Sequence, residues 1–349
     1  MKICHVINSL SGGGAETHLL DLVYAQKELG HTVNVIATGP DKKNMKSFDK
    51  EFTHASDDVL RLYFPRLLNL YSYVKFFKHL QKEQFDVVHT HQPRSDFMYF
   101  ILNFFTSFKP TWIVSIHGKY DTYLEGSLFF DKLRKLSMPL LVKIWNKSDH
   151  IICISEEVEK WLTLYKIKSR TSVINYWINN AKLENLGKTK ESINIGFMGR
   201  INRNKGIEDL LEVHEELNKD RYSLFIAGSG KESYLKKLND RYDLKNVNFL
   251  GYISNKDKFF SNIDIFVFPS YSEGLGLALL ESMSYSKICI SRDVPPMNSI
   301  LNHDSGYLFQ NIEELKSIIL DCGHLYKEDL LSLNKKLSNQ YNLLNEKYN

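Results

Sequence analysis

The sequence predicts an α/β protein with two tandem Rossmann-like domains, and three observations carry this prediction. The length of 349 residues exceeds one compact core and suits two domains. Short β-branched runs alternate with helical patterns, which is typical of parallel strands joined by helices. The same alternation starts again near residue 193, after a polar segment. We therefore expect parallel sheets facing each other across a cleft, with ligands beyond the carboxyl ends of the strands.

The first domain is predicted over residues 1–178. A buried strand at 3–7 is followed by an amphipathic helix at 15–29, which ends at Gly30. A second strand is predicted at 32–37. The remaining strands of this domain are predicted at 85–89, 112–116, 150–154 and 171–174.

The second domain is predicted over residues 193–329, after a polar linker at 179–192. A strand at 193–198, a polar loop and a helix at 207–217 repeat the opening of the first domain. Further strands are predicted at 222–227, 247–250, 263–268 and 287–291. A polar helix at about 330–349 is predicted to complete the first domain.

The composition is that of a globular protein, with 43% hydrophobic and 25% charged residues. The net charge of +4 is unevenly placed. Residues 1–175 contain 23 Lys/Arg and 18 Asp/Glu, whereas residues 176–349 contain 22 and 23. The basic surplus of the first half indicates either an anionic partner or an ordinary solvated surface.

Four scattered cysteines form no C-x-x-C pair, so neither a zinc site nor a disulfide framework is indicated. The apolar run at 3–7 is too short for the core of an export signal. The longest apolar stretch, 97–108, contains Asn103 and is shorter than the roughly 20 residues of a spanning helix. We expect a protein of the reducing cytoplasm.

A glycine-rich turn, Gly12-Gly13-Gly14-Ala15-Glu16, follows the first strand. Backbone N–H groups in such a turn can approach a phosphate at the positive end of the helix dipole. A tight strand–helix connection explains the same glycines equally well. The dinucleotide fingerprint is incomplete, because Thr17 stands where its third glycine would be.

A basic loop from Gly199 to Gly206 opens the second domain. Arg200 offers a planar fork to phosphate oxygens, and Lys205 offers a compact positive charge. The loop follows a strand and precedes a helix, so we expect both cations to flank one diphosphate. An exposed basic loop without a ligand is the alternative.

The most informative motif lies at 269–281, where a buried strand ends and a glycine-containing loop opens an apolar helix. Glu273 lies on the loop and Glu281 within the helix, which separates them by on the order of 10 Å. This separation suits contacts at opposite ends of an extended ligand, such as a sugar and a ribose. A glutamate in so apolar a helix must be paired or face a ligand. A solvent-facing position for Glu281 is the less favoured alternative.

These three motifs, in this order, resemble those of the retaining GT-B glycosyltransferases of family 4, also called group 1, over nearly the whole chain. The resemblance implies a hexosyltransferase-type enzyme (EC 2.4) that uses a nucleotide-diphosphate donor, most commonly a UDP-sugar. It implies a glycan or polyprenyl-linked saccharide acceptor, as in bacterial O-antigen, capsule or lipopolysaccharide synthesis. The first domain would bind the acceptor, and the second would bind the donor.

The resemblance also implies roles for individual residues. The residues with implied catalytic roles are His117, Arg200, Lys205 and Glu273. The donor would contact Gly13, Gly14, Gly199, Gly228, Tyr252, Ile253, Gly274, Leu275, Gly276 and Glu281. On the acceptor side we name Glu16, His89 and His91, the two histidines because they follow a predicted strand. A structural role for each histidine is the alternative.

One segment departs from the family pattern. The family carries a glycine-rich turn and a glutamate after the strand at 287–291. Here residues 292–298 read Arg-Asp-Val-Pro-Pro-Met-Asn, with Asn298 near the position of the glutamate. We expect this departure to affect contacts with the donor sugar rather than the diphosphate site.

No D-x-D triplet occurs in the sequence, so no metal and no cofactor besides the donor substrate are expected. Arg200, Lys205 and a helix dipole would neutralise the leaving phosphate instead. Two other classes of protein stay open. A nucleotide-sugar epimerase of GT-B fold shares the two-domain plan, and a non-catalytic nucleotide-sugar-binding subunit would bind the donor without turnover.

Two segments of the first domain combine aromatic and leucine side chains with basic ones. These are 63–81, with Arg66, Lys75 and Lys78, and 124–145, with Lys132, Arg134, Lys135 and Lys143. Such segments can lie on the anionic cytoplasmic face of a membrane, or they can be ordinary core helices with solvated lysines. No nucleic-acid partner is indicated.

Overall fold

The computed structural model describes residues 1–11, 13–39, 48–62, 69–121, 128–178, 183–253 and 255–348. The chain forms two compact units. Unit 1 is formed by Met1–Asp121 with Lys132–Asn175, and unit 2 is built on Tyr176–Asn349. Each unit contains one sheet, and every described strand pairing in both sheets is parallel. The predicted pair of Rossmann-like domains is confirmed.

The sheet of unit 1 has the strand order β3-β2-β1-β4-β5-β6-β7 in the described part of the chain. The strands are β1 (Lys2–Ile7), β2 (Thr32–Ala37), β3 (Asp58–Arg61), β4 (Val87–His91), β5 (Thr111–Ile116), β6 (His150–Cys153) and β7 (Arg170–Val173). The helices before β8 are α1 (Gly14–Glu28), α2 (Asp49–Ala55), α3 (Leu70–Glu83), α4 (Pro93–Asn103), α5 (Leu128–Trp145) and α6 (Glu156–Thr163).

Central strands of unit 1 are buried because helices cover both faces of a parallel sheet. In β1 and β2 every residue after the first is buried. Sequence patterning missed β3, an edge strand that begins with an exposed aspartate and is nowhere fully buried. The predicted strand at 85–89 is shifted by two residues, because β4 extends through His91. This shift places His91 in the sheet together with His89.

The sheet of unit 2 has the strand order β10-β9-β8-β11-β12-β13 among the described residues. The strands are β8 (Ile193–Met198), β9 (Tyr222–Ala227), β10 (Val247–Gly251), β11 (Ile265–Phe268), β12 (Ile288–Arg292) and β13 (Tyr307–Phe309). The helices are α7 (Ile207–Glu216), α8 (Glu232–Arg241), α9 (Lys256–Ser261), α10 (Leu277–Ser284), α11 (Met297–Ile300), α12 (Ile312–Glu328) and α13 (Leu330–Lys347).

The last helix, α13, packs within unit 2. Its Leu333 and Leu337 are buried in the same apolar cluster as Ile193 and Leu315, and the helix contacts α10 and α12. The prediction that it completes the first domain does not fit these contacts. The buried positions Leu333, Leu337 and Leu344 form a narrow apolar stripe in an otherwise polar helix, and the core of unit 2 covers that stripe.

No described helix combines the length and the apolar character that crossing a bilayer requires.

Candidate functional site

Three turns at the carboxyl ends of β8, β9 and β10 are joined by backbone contacts. Ile201 N donates to Ser229 O at 2.8 Å, and Gly228 N donates to Gly251 O at 2.7 Å. Gly228 has φ +145°, and a Cβ at this position would lie 1.7 Å from Gly199 O. Only glycine fits so close an approach. The glycines predicted to bind the donor, Gly199 and Gly228, therefore lie together at one edge of the sheet.

A cavity of about 780 Å³ opens beside these turns, within the range of small-molecule sites. Its lining combines apolar side chains with polar ones and includes Ile201, Leu235, Lys236, Asn239, Leu244 and Phe249. Gly228 and Gly251 form part of its wall. Tyr252 and Ile253 directly follow Gly251 and are partly exposed. Predicted nucleoside-contacting residues are thus placed at the cavity or next to it.

The basic loop after β8 is shaped by its own side chains and by a glycine. Asn202 Oδ1 accepts a hydrogen bond from Lys205 N at 3.2 Å and so begins a short 3₁₀ turn, Arg203–Lys205. Gly206 has φ +66°, and a Cβ there would lie 2.1 Å from Pro269 O. Glycine is required because the loop packs directly on the backbone after β11.

Asn204 fastens the basic loop to the loop that carries Glu273. Its buried side chain donates from Nδ2 to Ser272 O at 3.0 Å. Its carbonyl oxygen accepts from Tyr271 N at 2.9 Å. The two predicted motifs are therefore held in a fixed relation, although 68 residues separate Lys205 from Glu273 in the sequence.

Lys205 and Glu273 form an ion pair through Nζ and Oε1. Their side chains are only 14% and 12% exposed, and Lys205 Nζ also lies 5.9 Å from the centre of the Phe268 ring. Partial desolvation strengthens the attraction between the two charges. The structure brings these two predicted residues together as each other's partner, whereas Arg200 on the same loop is exposed.

Glu281 lies in the second turn of α10, after Leu275 and Gly276, both of which are buried. Its Oε1 accepts from Lys256 Nζ at 2.5 Å, and its side chain is 14% exposed. The expectation that this carboxylate must be paired or face a ligand is met by pairing. Sequence reasoning missed Lys256, which begins α9, because no local signal connects residues 25 positions apart.

The departing segment begins with a buried arginine that links several loops. Arg292 ends β12, and its Nε donates to Pro269 O at 3.0 Å. Its guanidinium pairs with Asp209 and lies 4.2 Å from the Tyr271 ring and 4.8 Å from the Phe309 ring. Arg292 therefore supports the backbone at the start of the Glu273 loop.

Asn298 lies near the position where the family pattern has a glutamate. It is exposed, and its Nδ2 donates to Asp293 Oδ1 at 3.0 Å. In this structure Asn298 holds its own loop together.

In unit 1 the glycine-rich turn leads into α1, with Gly13 as the extended N-cap and Gly14 as the first helical residue. Gly12 lies outside the described residues. Glu16 is buried and accepts from Ser9 Oγ at 3.3 Å. Its Oε2 lies 2.6 Å from the position of a Cβ on Gly13, so the carboxylate folds back over the helix N-terminus, where the helix dipole favours negative charge. The prediction that Glu16 contacts an acceptor does not match this enclosed position.

His89 and His91 are enclosed in a similar way. Both lie inside β4 and are almost completely buried, at 4% and 0% exposure. His89 Nε2 is 2.8 Å from Ser115 Oγ. These positions favour the structural alternative for both side chains. His91 also contacts His117, which follows β5 and is half-buried.

A chain of imidazoles runs through the sheet of unit 1. Gln26 Oε1 lies 2.8 Å from His5 Nε2, His5 Nδ1 lies 3.1 Å from His91 Nε2, and His91 Nδ1 lies 3.1 Å from His117 Nε2. Burial lowers the pKa of His5 and of His117 to about 4. Burial, followed by the neighbouring histidines, lowers the pKa of His91 well below its usual value. These imidazoles are therefore neutral at pH 7.

Within the described residues, His5, His89 and His91 form a cluster whose ring nitrogens lie within 4.8 Å of one another. Neutral imidazoles of this kind can hold a transition metal. However, the cluster contains no carboxylate, and a buried dication without balancing charge is costly. The sequence signal that could have indicated this cluster is the pair of histidines at alternate positions, 89 and 91, of a buried strand.

Comparisons with known proteins agree with the fold and with the family resemblance. The family model of glycosyl transferases group 1 matches residues 179–339, and that of glycosyltransferase family 4 matches residues 12–182. The O-antigen biosynthesis glycosyltransferase WclY of Escherichia coli is 23% identical, with 96% of this chain and 92% of WclY aligned. The capsular polysaccharide biosynthesis glycosyltransferase CapM of Staphylococcus aureus is 23% identical, with 80% of this chain and 77% of CapM aligned.

Among solved structures, Anabaena HepE in complex with UDP-glucose has a TM-score of 0.82 and 18% identity. The match covers 100% of this chain and 96% of HepE. The sucrose-phosphate synthase of Thermosynechococcus elongatus has a TM-score of 0.79. These likenesses show the fold. Because the two family models together span residues 12–339, this chain belongs to the group 1 glycosyltransferases of GT-B fold and is a transferase.

Proposed function

We propose that this protein transfers a sugar, with retention of anomeric configuration and without a metal, from a nucleotide-diphosphate donor to a saccharide acceptor. A UDP-sugar is the favoured donor, because HepE of the same fold is described with UDP-glucose. Bacterial surface polysaccharide synthesis is the favoured setting, because relatives carry names of O-antigen and capsule synthesis. The acceptor would then be a glycan or a polyprenyl-linked saccharide, met in the cytoplasm.

The observation that carries the proposal is the enclosed pair Lys205–Glu273, fastened beside the glycine turns of unit 2. A bound diphosphate would replace Glu273 as the ion-pair partner of Lys205. Glu273 would then be able to accept hydrogen bonds from hydroxyls of the donor sugar. Arg200, exposed on the same loop, would contact the second phosphate. The remaining donor contacts that we propose are those of Gly199, Gly228, Tyr252, Ile253, Gly274, Leu275, Gly276 and Glu281.

In the proposed reaction, the bond between the anomeric carbon and the β-phosphate oxygen breaks, and a bond to the acceptor oxygen forms on the same face. The acceptor proton passes to an oxygen of the leaving diphosphate. Lys205 and Arg200 stabilise the negative charge that develops on this leaving group, which is usually the largest catalytic contribution. The sequence also lacks a D-x-D triplet for a bridging metal. We expect metal independence because this triplet is missing, and retention because the family resemblance implies it.

Lys205→Ala tests this assignment. We expect transfer to fall about 100- to 1,000-fold, the cost of removing one preorganised charge partner of the leaving group. A panel of UDP-, GDP- and ADP-sugars, screened by thermal shift, first identifies the donor, and product NMR then reports the anomeric configuration with and without EDTA.

The matched control is Lys316→Ala, which breaks the more exposed ion pair with Glu216 in the same unit. It should leave turnover unchanged. Wild-type turnover in Lys205→Ala would contradict the proposed role. Epimerised donor without transfer, or donor binding without turnover, would instead identify one of the alternative functions.

We also propose peripheral contact with an anionic membrane. On α3, Leu70 and Tyr71 are 75% and 76% exposed, and Lys75 and Lys78 are exposed beside them. On α5, exposed residues recur at helical spacing: Lys132, Lys135, Leu136, Leu140 and Lys143. Apolar groups between lysines suit an anionic bilayer surface. Residues 63–68 with Arg66, and residues 124–127, belong to the predicted segments but lie outside the described residues.

Co-sedimentation with phosphatidylglycerol-containing vesicles checks this contact. The double substitution Leu70→Ser with Tyr71→Ser should weaken binding at least about tenfold, since it removes two exposed apolar side chains from the surface. Leu331→Ser is the control, because Leu331 is 82% exposed on α13 of unit 2. Equal binding by both variants, or binding insensitive to salt, would contradict the proposal.

A further inference from the structure

Gln26, on the last turns of α1, ends the imidazole chain of unit 1. Its amide oxygen faces His5 Nε2 at 2.8 Å. An amide oxygen can only accept a hydrogen bond, so His5 Nε2 must carry the proton that is shared with Gln26.

The direction of every later hydrogen bond in the chain follows from this one contact. A neutral imidazole has one N–H and one acceptor nitrogen. His5 Nδ1 is therefore the acceptor, and His91 Nε2 is the donor across their 3.1 Å contact. By the same rule, His91 Nδ1 accepts, and His117 Nε2 donates across the next 3.1 Å contact. The remaining nitrogen of His117, Nδ1, carries the lone pair.

Two further observations support this directed chain. Burial lowers the pKa of both end histidines, His5 and His117, to about 4, so each ring holds a single proton at neutral pH. His89 belongs to the neighbouring cluster but is engaged through Nε2 with Ser115 Oγ at 2.8 Å. It therefore stands beside the chain and does not interrupt it.

We propose that Gln26 is a positioning residue that sets the tautomer of His117 through His5 and His91, so that His117 keeps Nε2–H inward and Nδ1 as a hydrogen-bond acceptor. Gln26 acts across three hydrogen bonds and is not itself a catalytic residue. The tautomer decides whether His117 accepts or donates at Nδ1. Its catalytic consequence rests on the proposed function and on the catalytic role that the family resemblance implies for His117.

Changing the chemistry at position 26 tests the direction of the chain. Gln26→Met removes the acceptor, so the two hydrogen-bond directions of the chain should become nearly equally populated. Gln26→Lys replaces the acceptor by a donor and should reverse the chain, which places the proton of His117 on Nδ1. The ¹⁵N spectrum of histidine-labelled protein, with His117 assigned by a His117→Gln variant, distinguishes protonated from unprotonated ring nitrogens.

Activity provides the second measurement. One neutral hydrogen bond shifts the equilibrium between the two His117 tautomers about fivefold. We expect kcat to fall less than about twofold in Gln26→Met and about fivefold in Gln26→Lys, with the donor KM unchanged. Tyr24→Phe, an exposed position on the same helix, is the control and should match the wild type. Thermal melting identifies any variant that fails to fold. If one Gln26 variant does not fold, the other one alone is sufficient for the test.

The spectra need no substrate, so they separate this proposal from the proposed function. If the proposed function fails, Lys205→Ala keeps full turnover while the tautomer of His117 still inverts in Gln26→Lys. An identical His117 tautomer in the wild type and both Gln26 variants would overturn the proposal. Stoichiometric binding of Zn²⁺ that is lost in His5→Gln would also overturn it, because a metal between the two rings needs a lone pair on His91 Nε2, which carries a proton in the directed chain.

Discussion

Arg292 shows how one side chain can join separate parts of unit 2. It is buried, pairs with Asp209 at the start of α7, and donates to Pro269 O at 3.0 Å. Tyr271 OH also donates to Asp209 Oδ2 at 2.7 Å. The planar guanidinium suits this combination of ion pair, hydrogen bond and ring contact. The departure from the family pattern at 292–298 therefore supplies a support for the Glu273 loop.

Arg292→Met is expected to destabilise unit 2 by about 3–5 kcal/mol, because it leaves the enclosed carboxylate of Asp209 without its counter-charge. Lys316→Met serves as control, since its ion pair with Glu216 is 37% and 54% exposed and should contribute less than about 1 kcal/mol. Urea unfolding measures both free energies. Equal losses in the two variants would contradict the buried role of Arg292.

At the scale of single residues, the sequence identified the kinds of group but not their partners. It predicted that Glu281 must be paired or face a ligand, and the structure pairs it with Lys256. It placed Lys205 and Glu273 in one site but did not predict that they bind each other. Partners 25 and 68 positions apart leave no local pattern.

At the scale of elements, the turns of unit 2 depend on glycines that the backbone itself requires. Gly228 and Gly251 both have positive φ, and Gly228 N donates a hydrogen bond to Gly251 O at 2.7 Å. They differ in the space around them. A Cβ on Gly228 would meet Gly199 O, whereas a Cβ on Gly251 would meet nothing within 4 Å.

This difference yields a matched pair of substitutions. Gly251→Ala should cost only the strain of positive φ, about 1 kcal/mol. Gly228→Ala should cost more than about 3 kcal/mol, because the Cβ collides with backbone that cannot move away easily. Denaturant unfolding of both variants measures the difference. A Gly228→Ala variant as stable as Gly251→Ala would show that the turn adapts.

The position of β4 shows where patterning fails at the level of elements. Hydrophobic periodicity predicts a strand that ends at residue 89, because no apolar residue follows before Pro93, but the strand continues to His91 beside β5. Pairing with neighbouring strands, which is a tertiary interaction, decides where such a strand ends. Tertiary packing likewise decides where the polar helix α13 docks, and it docks on unit 2.

At the scale of the whole molecule, unit 1 concentrates histidines that stay neutral when folded. Burial lowers the pKa of His5 to about 4 and that of His18 to about 3, and it lowers the pKa of His89 well below its usual value. In the unfolded chain these groups titrate near 6.5. Below about pH 6.5 the unfolded state therefore binds more protons than the folded state. The free energy of unfolding then decreases as the pH is lowered.

We expect the melting temperature to be highest above about pH 6.5 and to decrease steadily from there toward pH 4. Calorimetry between pH 7.5 and pH 4.5 checks this dependence. His18→Phe should flatten it, since one proton-binding group is removed from the unfolded chain. A melting temperature that does not change between pH 7.5 and pH 5 would contradict the neutral state of the cluster.

By itself, the sequence determined the α/β class, the two-domain order, and the motifs that fall after strands, because hydrophobic period and turn glycines act over a few residues. Only the tertiary structure decided which charges pair, which helix face α13 buries, and that His5 and His91, 86 positions apart, share a hydrogen bond. The physical reason is that strand register and packing, which bring distant residues together, depend on all the elements at once.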